Sequence, residues 1–440
     1  MRILFASIPL EGHFNPLTSL AVHLKETGHD VRWYTGGTFE KKLQTLGIPY
    51  LPFKHAKEVT QHNIDELFPK RSKIKSTVKK LRFDMCNIFI LRGPEFFADL
   101  KEIQQFFAFD LVVADICFTG IPFIKDKLGV PVITVGIMPL VESSKDTAPT
   151  GLGLPPASTT VGKLAHNVLQ KLVDNVLFKQ PTDLFKKLVA EEGIACSQNN
   201  VFDIAIEKSS VVLQSGTPGF EYERSDMSRH IHFIGPLLPH SSGKKIDLPF
   251  SSKLSTYKKV ILVTQGTMES DCTKIIVPTL EAFKNSNFLV IVATAGNHTK
   301  ELRQQYPFDN CVIEDYIPFD QLLPFVDVYV SNGGYGGVMQ SIMHRVPMVV
   351  GGKHEGKNEV CARVGHFKLG INLKTERPHK KQIRKAVEEV LLNSEYRSNV
   401  AALAKEFGTY NPQQLCAQFA ESLVAMADIR TLAHAPLSLT

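Results

Sequence analysis

Two patterns of apolar residues alternate along the chain. One is a run of about five successive residues, and in the other apolar side chains recur three or four apart. Residues 2–7 read as a buried strand. Leu17, Leu20, Ala21 and Leu24 then form a helical stripe, with Asn15 as N-cap, Pro16 as first residue and Gly28 past the end. Residues 31–34 give a second strand closed by Gly36-Gly37, residues 39–46 a second helix, and residues 48–52 a third strand. This βαβαβ opening predicts a parallel, doubly wound sheet. Strands at 110–114, 130–135, 211–214 and 231–234 extend it, with helices over 121–128 and 162–191.

A second alternation starts near residue 260. Strands are expected at 260–264, 289–293, 311–313, 326–330 and 346–350, and helices at 379–393, 395–407 and 412–428. Between the two halves, Gly235-Pro236-Leu237-Leu238-Pro239 and Ser241-Ser242-Gly243-Lys244-Lys245 read as a linker. The pattern therefore divides the chain into domains over 1–235 and 259–411 joined by 236–258. Single cores stop growing near about 250–300 residues, so a length of 440 agrees with two domains. The expected fold is α/β, two Rossmann-like units in tandem facing across a cleft.

Three stretches are less regular. Lys70, Arg71, Lys73, Lys75, Lys79, Lys80 and Arg82 crowd residues 69–82. They read as a solvated helix face, with contact to anionic lipid or an acidic acceptor as the alternative. Phe83, Phe89, Phe96 and Phe97 follow and read as core from which an acceptor pocket could borrow. Residues 149–160, rich in Pro, Gly, Ser and Thr, read as a mobile loop.

Composition narrows the class. A hydrophobic share of 43% and a charged share of 21% are those of a globular protein in water. A formal charge of +6 suits an anionic small ligand and is too weak to argue for nucleic acid. The 7 cysteines are scattered and form no C-x-x-C pair, which points to reduced thiols and a cytoplasmic location, without a structural zinc site. No apolar stretch approaches the ~18 residues needed to span a bilayer. The expected partners are small molecules, with no nucleic acid and no stable membrane insertion, in a monomer or weak dimer.

The densest chemistry lies in Ser331-Asn332-Gly333-Gly334-Tyr335-Gly336-Gly337, between an apolar strand and a helical stripe of Val338, Met339, Ile342 and Met343. A glycine-rich turn at a helix N-terminus gathers free N–H groups and the positive dipole end, and the natural ligand is a phosphate. Gln265-Gly266-Thr267 leaves another strand end. In the first half, His13 and Asp115 both leave strand ends, where a carboxylate could orient an imidazole to deprotonate a hydroxyl. Pattern alone leaves His13 open between that role and a structural one. Absent motifs exclude other chemistry. The first turn lacks G-x-G-x-x-G, no P-loop occurs, and neither G-x-S-x-G nor H-E-x-x-H is present. No D-x-D triplet offers a metal its usual diphosphate-bridging carboxylates.

These residues, in this order and spacing, resemble the family 1 glycosyltransferases of the GT-B fold, which use UDP- and dTDP-sugars on small lipophilic acceptors. The resemblance covers almost the whole chain. It rests on Gly12-His13-Phe14-Asn15-Pro16, the segment ending in Asp115, Ile234-Gly235-Pro236-Leu237, Gly266-Thr267, Tyr316-Ile317-Pro318 and the block from Ser331 to Arg363. It implies an inverting, metal-independent transfer with no cofactor, His13 as general base and Asp115 as its partner. Tyr316 stands where the family has a Trp that stacks on the base, and the Ile317 backbone would read the base edge. Gly266, Thr267, Ser331, Asn332, Gly333, Gly334, Tyr335, Gly336 and Gly337 would hold the diphosphate, and Gln340 stands in for a ribose-binding Glu. Glu355, Gly356 and Lys357 replace the pattern that grips the donor sugar, which brings a 6-deoxy sugar such as rhamnose into view. Phe14, Phe83, Phe89 and Phe118 would line a site for an aromatic, flavonoid or phenolic acceptor. The helix at 412–428 would pack back on the first domain. Two alternatives are a GT-B-shaped nucleotide-sugar epimerase and a non-catalytic sugar-nucleotide binder.

Overall fold

A computed structural model describes residues 1–60, 63–241, 243 and 247–433. The first half holds β1 (Arg2–Ala6), β2 (Asp30–Thr35), β3 (Tyr50–Pro52), β4 (Leu111–Asp115), β5 (Val132–Gly136), β6 (Val211–Ser215) and β7 (Ile231–Gly235). They form one seven-stranded sheet in the order β3-β2-β1-β4-β5-β6-β7, with every neighbouring pair parallel. The second half holds β8 (Lys259–Thr264), β9 (Phe288–Ala293), β10 (Cys311–Glu314), β11 (Val328–Ser331), β12 (Met348–Val350) and β13 (Gly370–Asn372). Its order is β10-β9-β8-β11-β12-β13, again parallel.

The strands read as unbroken apolar runs because helices cover both faces. Ile3 and Phe5 belong to one core, while Leu4 and Ala6 point into the other. In the second domain Val260 and Leu262 face one core and Ile261 and Val263 the opposite one. This is the two-residue alternation of a strand, with both sides dry.

In each sheet the strand order reverses once, between β1 and β4 in the first and between β8 and β11 in the second. Ligands of open α/β sheets gather beyond the carboxyl ends of the strands at such points. The fold therefore offers two matched positions, and the chemistry-bearing residues fall at both.

Several boundaries differ from the sequence reading. The first helix spans Glu11–Glu26, so it begins a turn before Asn15 and carries Pro16 inside. His13 and Phe14 already donate to the Leu10 carbonyl, and the Asn15 amide bonds the Glu11 carboxylate at 2.7 Å instead of capping. Pro16 lies past the first turn, so it costs the helix the bond its N–H would have given to the Gly12 carbonyl. The helix over 162–191 is real but contains a π turn, Asp174–Phe178, between Thr160–Val173 and Lys179–Glu191. Within the irregular region lies a helix that patterning missed, Gly93–Phe106, burying Phe96, Phe97, Leu100 and Ile103. Strand β13 was also missed, being only three residues long.

Leu237 packs in the first domain's core, and Leu248 and Phe250 in the second's, so the connecting segment is anchored at both ends. Ser242, Lys244 and Lys245 of the proposed linker lie outside the described residues. The last helix, Pro412–Ala433, buries Cys416 and Ala420 in the first domain's core.

Candidate active site

The first position is built by β1 and β4, paired in register through Ala6 and Ala114. β1 leads through residues 7–10 into the first turn of the Glu11–Glu26 helix, which places His13 above the sheet edge. β4 ends at Asp115, whose side chain is fully buried. The His13 Nδ1 lies 2.9 Å from Asp115 Oδ1. Asp115 also accepts the N–H groups of Ile8 at 3.2 Å and Cys117 at 2.9 Å. A carboxylate that takes several donors is an acceptor throughout, so Nδ1 carries the proton toward Asp115 and Nε2 keeps its lone pair. Nε2 has no partner among the described residues.

Cys117 joins this pair, and its Sγ, the His13 ring and Asp115 offer ligand atoms within 4.8 Å of one another. The group is not well disposed toward a metal. Burial and the nearby Asp115 push the Cys117 thiol well up, which disfavours the thiolate that a metal needs. Both Asp115 oxygens already accept hydrogen bonds. Among the described residues no other group of three such side chains comes together, so none accompanies the glycine-rich turn.

The second position lies beyond β8 and β11, paired through Thr264 and Ser331. Gly266 sits at φ 71°, turning the chain after β8. The Ser331 Oγ accepts the Gly333 N–H at 3.2 Å, so that amide is already used. The helix Tyr335–Met343 follows with Gly334 as N-cap. The N–H groups of Gly334, Tyr335, Gly336 and Gly337 have no partner among the described residues, as the first turn of a helix leaves them. A Cβ on Gly336 would meet nothing within 4 Å, which marks the open side of the turn. This is the anion cradle that the glycines suggested.

Asn332 lies between the two turns, its Oδ1 next to both Gly266 and Gly334. Its side chain is buried and its amide nitrogen donates to the Gln265 carbonyl. It ties the two ligand-facing turns together, and part of its donor capacity is used there. Gln265, read from the sequence only as part of a strand-end turn, is buried too, and its Oε1 accepts the N–H groups of Ile275 at 2.8 Å and Ile276 at 3.0 Å. Thr267 is half-buried beside Gly266.

Tyr316 is 75% exposed, with its hydroxyl 3.3 Å from the Ala295 carbonyl, so a ring face is free to stack. The main chain of Ile317 has no partner among the described residues. Gln340 is half-buried and its Nε2 lies 3.5 Å from the Gly336 carbonyl, a weak contact that a ligand can displace. Glu355 and Gly356 both take left-handed backbone, at φ 57° and 73°, and lead into the Lys357–His366 helix. Lys357 reaches back to Glu355 at 2.5 Å.

Three expectations are corrected. Phe14 is fully buried, stacked on Phe39 at 4.2 Å and tilted against Trp33 at 4.4 Å, so it is core and offers nothing to an acceptor. Phe118 is likewise core, stacked 4.4 Å from Phe96. Phe83 and Phe89 remain half-buried. The Tyr335 side chain points away from the cradle, and its hydroxyl donates to the Ser215 carbonyl in the first domain at 2.6 Å. Burial raises that phenol far above its usual range, so it keeps the proton it donates to Ser215.

That bond fixes the geometry between the halves. Ser215 ends β6, two strands from β4. At about 4.8 Å per strand the anchor of the cradle stands roughly 10 Å to one side of the strand that carries Asp115. The stretch after residue 149 is also tethered. Glu359 Oε1 accepts the N–H groups of Gly151 at 2.9 Å and Gly153 at 2.7 Å, and Asn358 bonds the Gly151 carbonyl at 2.7 Å. The loop read as mobile is held at this end by the second domain.

Comparison with known proteins fits this arrangement. The family described as "Erythromycin biosynthesis protein CIII-like, C-terminal domain" matches residues 279–426. The chain is 32% identical to the 4'-demethylrebeccamycin synthase of Lentzea aerocolonigenes, over 92% of this chain and 95% of that protein. It is 29% identical to UDP-glycosyltransferase 2 of Phaeomoniella chlamydospora, over 96% of both. Among solved structures, the spinosyn rhamnosyltransferase SpnG complexed with thymidine diphosphate superposes with a TM-score of 0.68 at 12% identity, covering 96% of this chain and all of that one.

Proposed function

The chain belongs to the family 1 glycosyltransferases, nucleotide-sugar-dependent enzymes of the GT-B fold, and on that premise we propose that it inverts the anomeric centre as it glycosylates a lipophilic hydroxyl acceptor without a metal ion. The donor is a UDP- or dTDP-sugar, and the acceptor an aromatic, phenolic-type molecule. One observation carries the reading. A histidine oriented by a buried carboxylate occupies one topological switch point, and four amides at a helix N-terminus, without a partner among the described residues, occupy the other.

In this scheme His13 Nε2 takes the proton of the acceptor hydroxyl as that oxygen attacks the anomeric carbon. Asp115 offsets the imidazolium charge and keeps the ring from turning. The bond to the diphosphate breaks on the opposite face. Its negative charge meets the amides of Gly334 to Gly337 and the positive end of the Tyr335–Met343 helix, with the Thr267 hydroxyl as a further donor. Tyr316 stacks on the pyrimidine and the Ile317 main chain contacts its edge. Gln340 faces the ribose, and Glu355, Gly356 and Lys357 face the sugar. Metal-free stabilisation is supported by the donors at this turn, which are amides and hydroxyls, groups that can meet the charge of a diphosphate directly.

The test is a panel of UDP-glucose, UDP-galactose, dTDP-glucose and dTDP-rhamnose against a flavonoid acceptor in the presence of a chelator. Products are read by mass and anomeric configuration by NMR. A glycoside with inverted configuration is expected. Retained configuration, or activity abolished by the chelator and restored by a divalent cation, would overturn the scheme. Conversion of donor alone into an epimer would favour the isomerase instead.

A further inference from the structure

We propose that the face formed by the Thr160–Val173 helix, its π-turn continuation Asp174–Phe178 and the neighbouring Thr77–Asp84 helix docks on the surface of an anionic lipid bilayer without crossing it. Val161, Leu164, Val168, Leu172 and Val176 are 79%, 65%, 63%, 56% and 49% exposed. Their spacing of three, four, four and four residues sets them on one side of the helical rod. Isolated exposed aliphatics need no explanation, but an unbroken stripe over four turns does. The Thr77–Asp84 helix lies against Asp174–Phe178 and adds exposed Val78 and Leu81 to the same region.

Charge identifies the occupant. Lys73, Lys75 and Lys79 are exposed on and before the second helix, and Lys163 and Lys171 on the first. None of these five has an ion-pair partner among the described residues, while two carboxylates of the neighbouring helices are neutralised and a third, Asp174, is held by neutral amides. Asp84 pairs with Arg71 at 2.7 Å, Asp183 with Lys179 at 3.0 Å, and Asp174 accepts from Gln170 and Asn200. An apolar helical stripe beside uncompensated lysines is the chemistry of an interfacial helix, with aliphatics among the acyl chains and ammonium groups among anionic headgroups. A second copy of this chain would instead bring identical lysines face to face, which like-charge repulsion disfavours. No helix among the described residues is long and apolar enough to cross a membrane, so the contact is peripheral.

The experiment sediments the full chain with vesicles of phosphatidylcholine alone and of phosphatidylcholine mixed with phosphatidylglycerol, at low and high salt. Binding to the anionic vesicles that weakens with salt is expected. The double variant Leu164→Glu with Val168→Glu should bind roughly tenfold less or weaker, with circular dichroism and melting temperature unchanged because both side chains are exposed. Lys75→Glu with Lys79→Glu should lose the preference for anionic vesicles. Failure to sediment with either vesicle overturns the proposal, and so does equal binding to phosphatidylcholine alone. A stoichiometric dimer in analytical ultracentrifugation that Leu164→Glu dissolves would assign the stripe to a second copy and also overturn it. The readout does not involve turnover, so it stands or falls apart from the sugar chemistry.

Discussion

Arg363 and Glu221 form an ion pair across the seam between the two domains, 2.7 Å from Nη2 to Oε2, with side chains only 2% and 3% exposed. Arg363 comes from the Lys357–His366 helix that opens beside the donor-sugar residues, and Glu221 from the connection after β6. Glu359 adds a second carboxylate at 3.1 Å, and the guanidinium lies 4.3 Å over the Tyr222 ring. Burial alone would lower the Arg363 pKa, but Glu221, Tyr222 and Glu359 outweigh it and raise it. Removing one partner leaves the other charged and dry, at a cost of about 3–5 kcal/mol. Arg363→Met and Glu221→Leu should each lower the unfolding free energy by that order, and the double variant should recover part of the loss, since the Leu140 N–H and Glu359 still lack their partners. A double variant whose loss equals the sum of the two would show that the pair is not coupled.

His13 and Asp115 should separate cleanly in mutants. His13→Ala removes a general base, which contributes roughly 10²–10⁴-fold, and should lower kcat by that order with donor KM and melting temperature nearly unchanged. Asp115→Asn differs because the carboxylate accepts from Ile8, Cys117 and His13 together. An amide presents an NH2 to at least one of those donors, leaving buried groups unpaired at about 1–3 kcal/mol each. Turnover and melting temperature should then fall together. If His13→Ala keeps full activity against every acceptor, the assignment of the base is wrong.

The architecture was legible because parallel strands covered on both faces leave unbroken apolar runs, and the glycines after β11 announce a turn whatever surrounds it. What stayed hidden depended on contacts far apart in sequence. Phe14 and Phe118 look like Phe83 and Phe89 in a string of letters, and only the packing against Trp33, Phe39 and Phe96 makes core of the first two. The bonds from Glu359 to Gly151 and Gly153 span more than two hundred residues, so no local pattern could show that this loop is held. His13 appeared to precede a helix because Asn15-Pro16 is a good start signal. The Leu10 carbonyl starts the helix earlier, and that places the ring in the first turn.

Tyr316 is an exposed aromatic that pays no packing cost when truncated. Base–aromatic stacking is worth about 1–3 kcal/mol, so Tyr316→Ala should weaken nucleotide binding by roughly 5- to 150-fold in calorimetry, with Tm unchanged. Tyr316→Trp should restore or exceed the original affinity, since the larger ring offers more face. Unaltered affinity in the alanine variant would remove Tyr316 from the base site.

Neighbouring glycines of the cradle should behave oppositely. Gly336 faces open space, and a Cβ there would stand where an anion approaches the amides. Gly336→Ala should therefore keep the melting temperature and raise donor KM several-fold, the helix itself gaining slightly from alanine. Gly337 is backed by the Tyr329 hydroxyl, which a Cβ would overlap, and Tyr329 is buried beneath the helix. Gly337→Ala should lower the melting temperature, since overpacking costs typically about 1–3 kcal/mol, and should affect donor binding only as the turn shifts. Gly337→Ala combined with Tyr329→Phe removes the hydroxyl and should recover most of the lost stability. If instead Gly336→Ala leaves donor KM untouched while Gly337→Ala raises it, the ligand approaches the helix from the other side and the cradle must be redrawn.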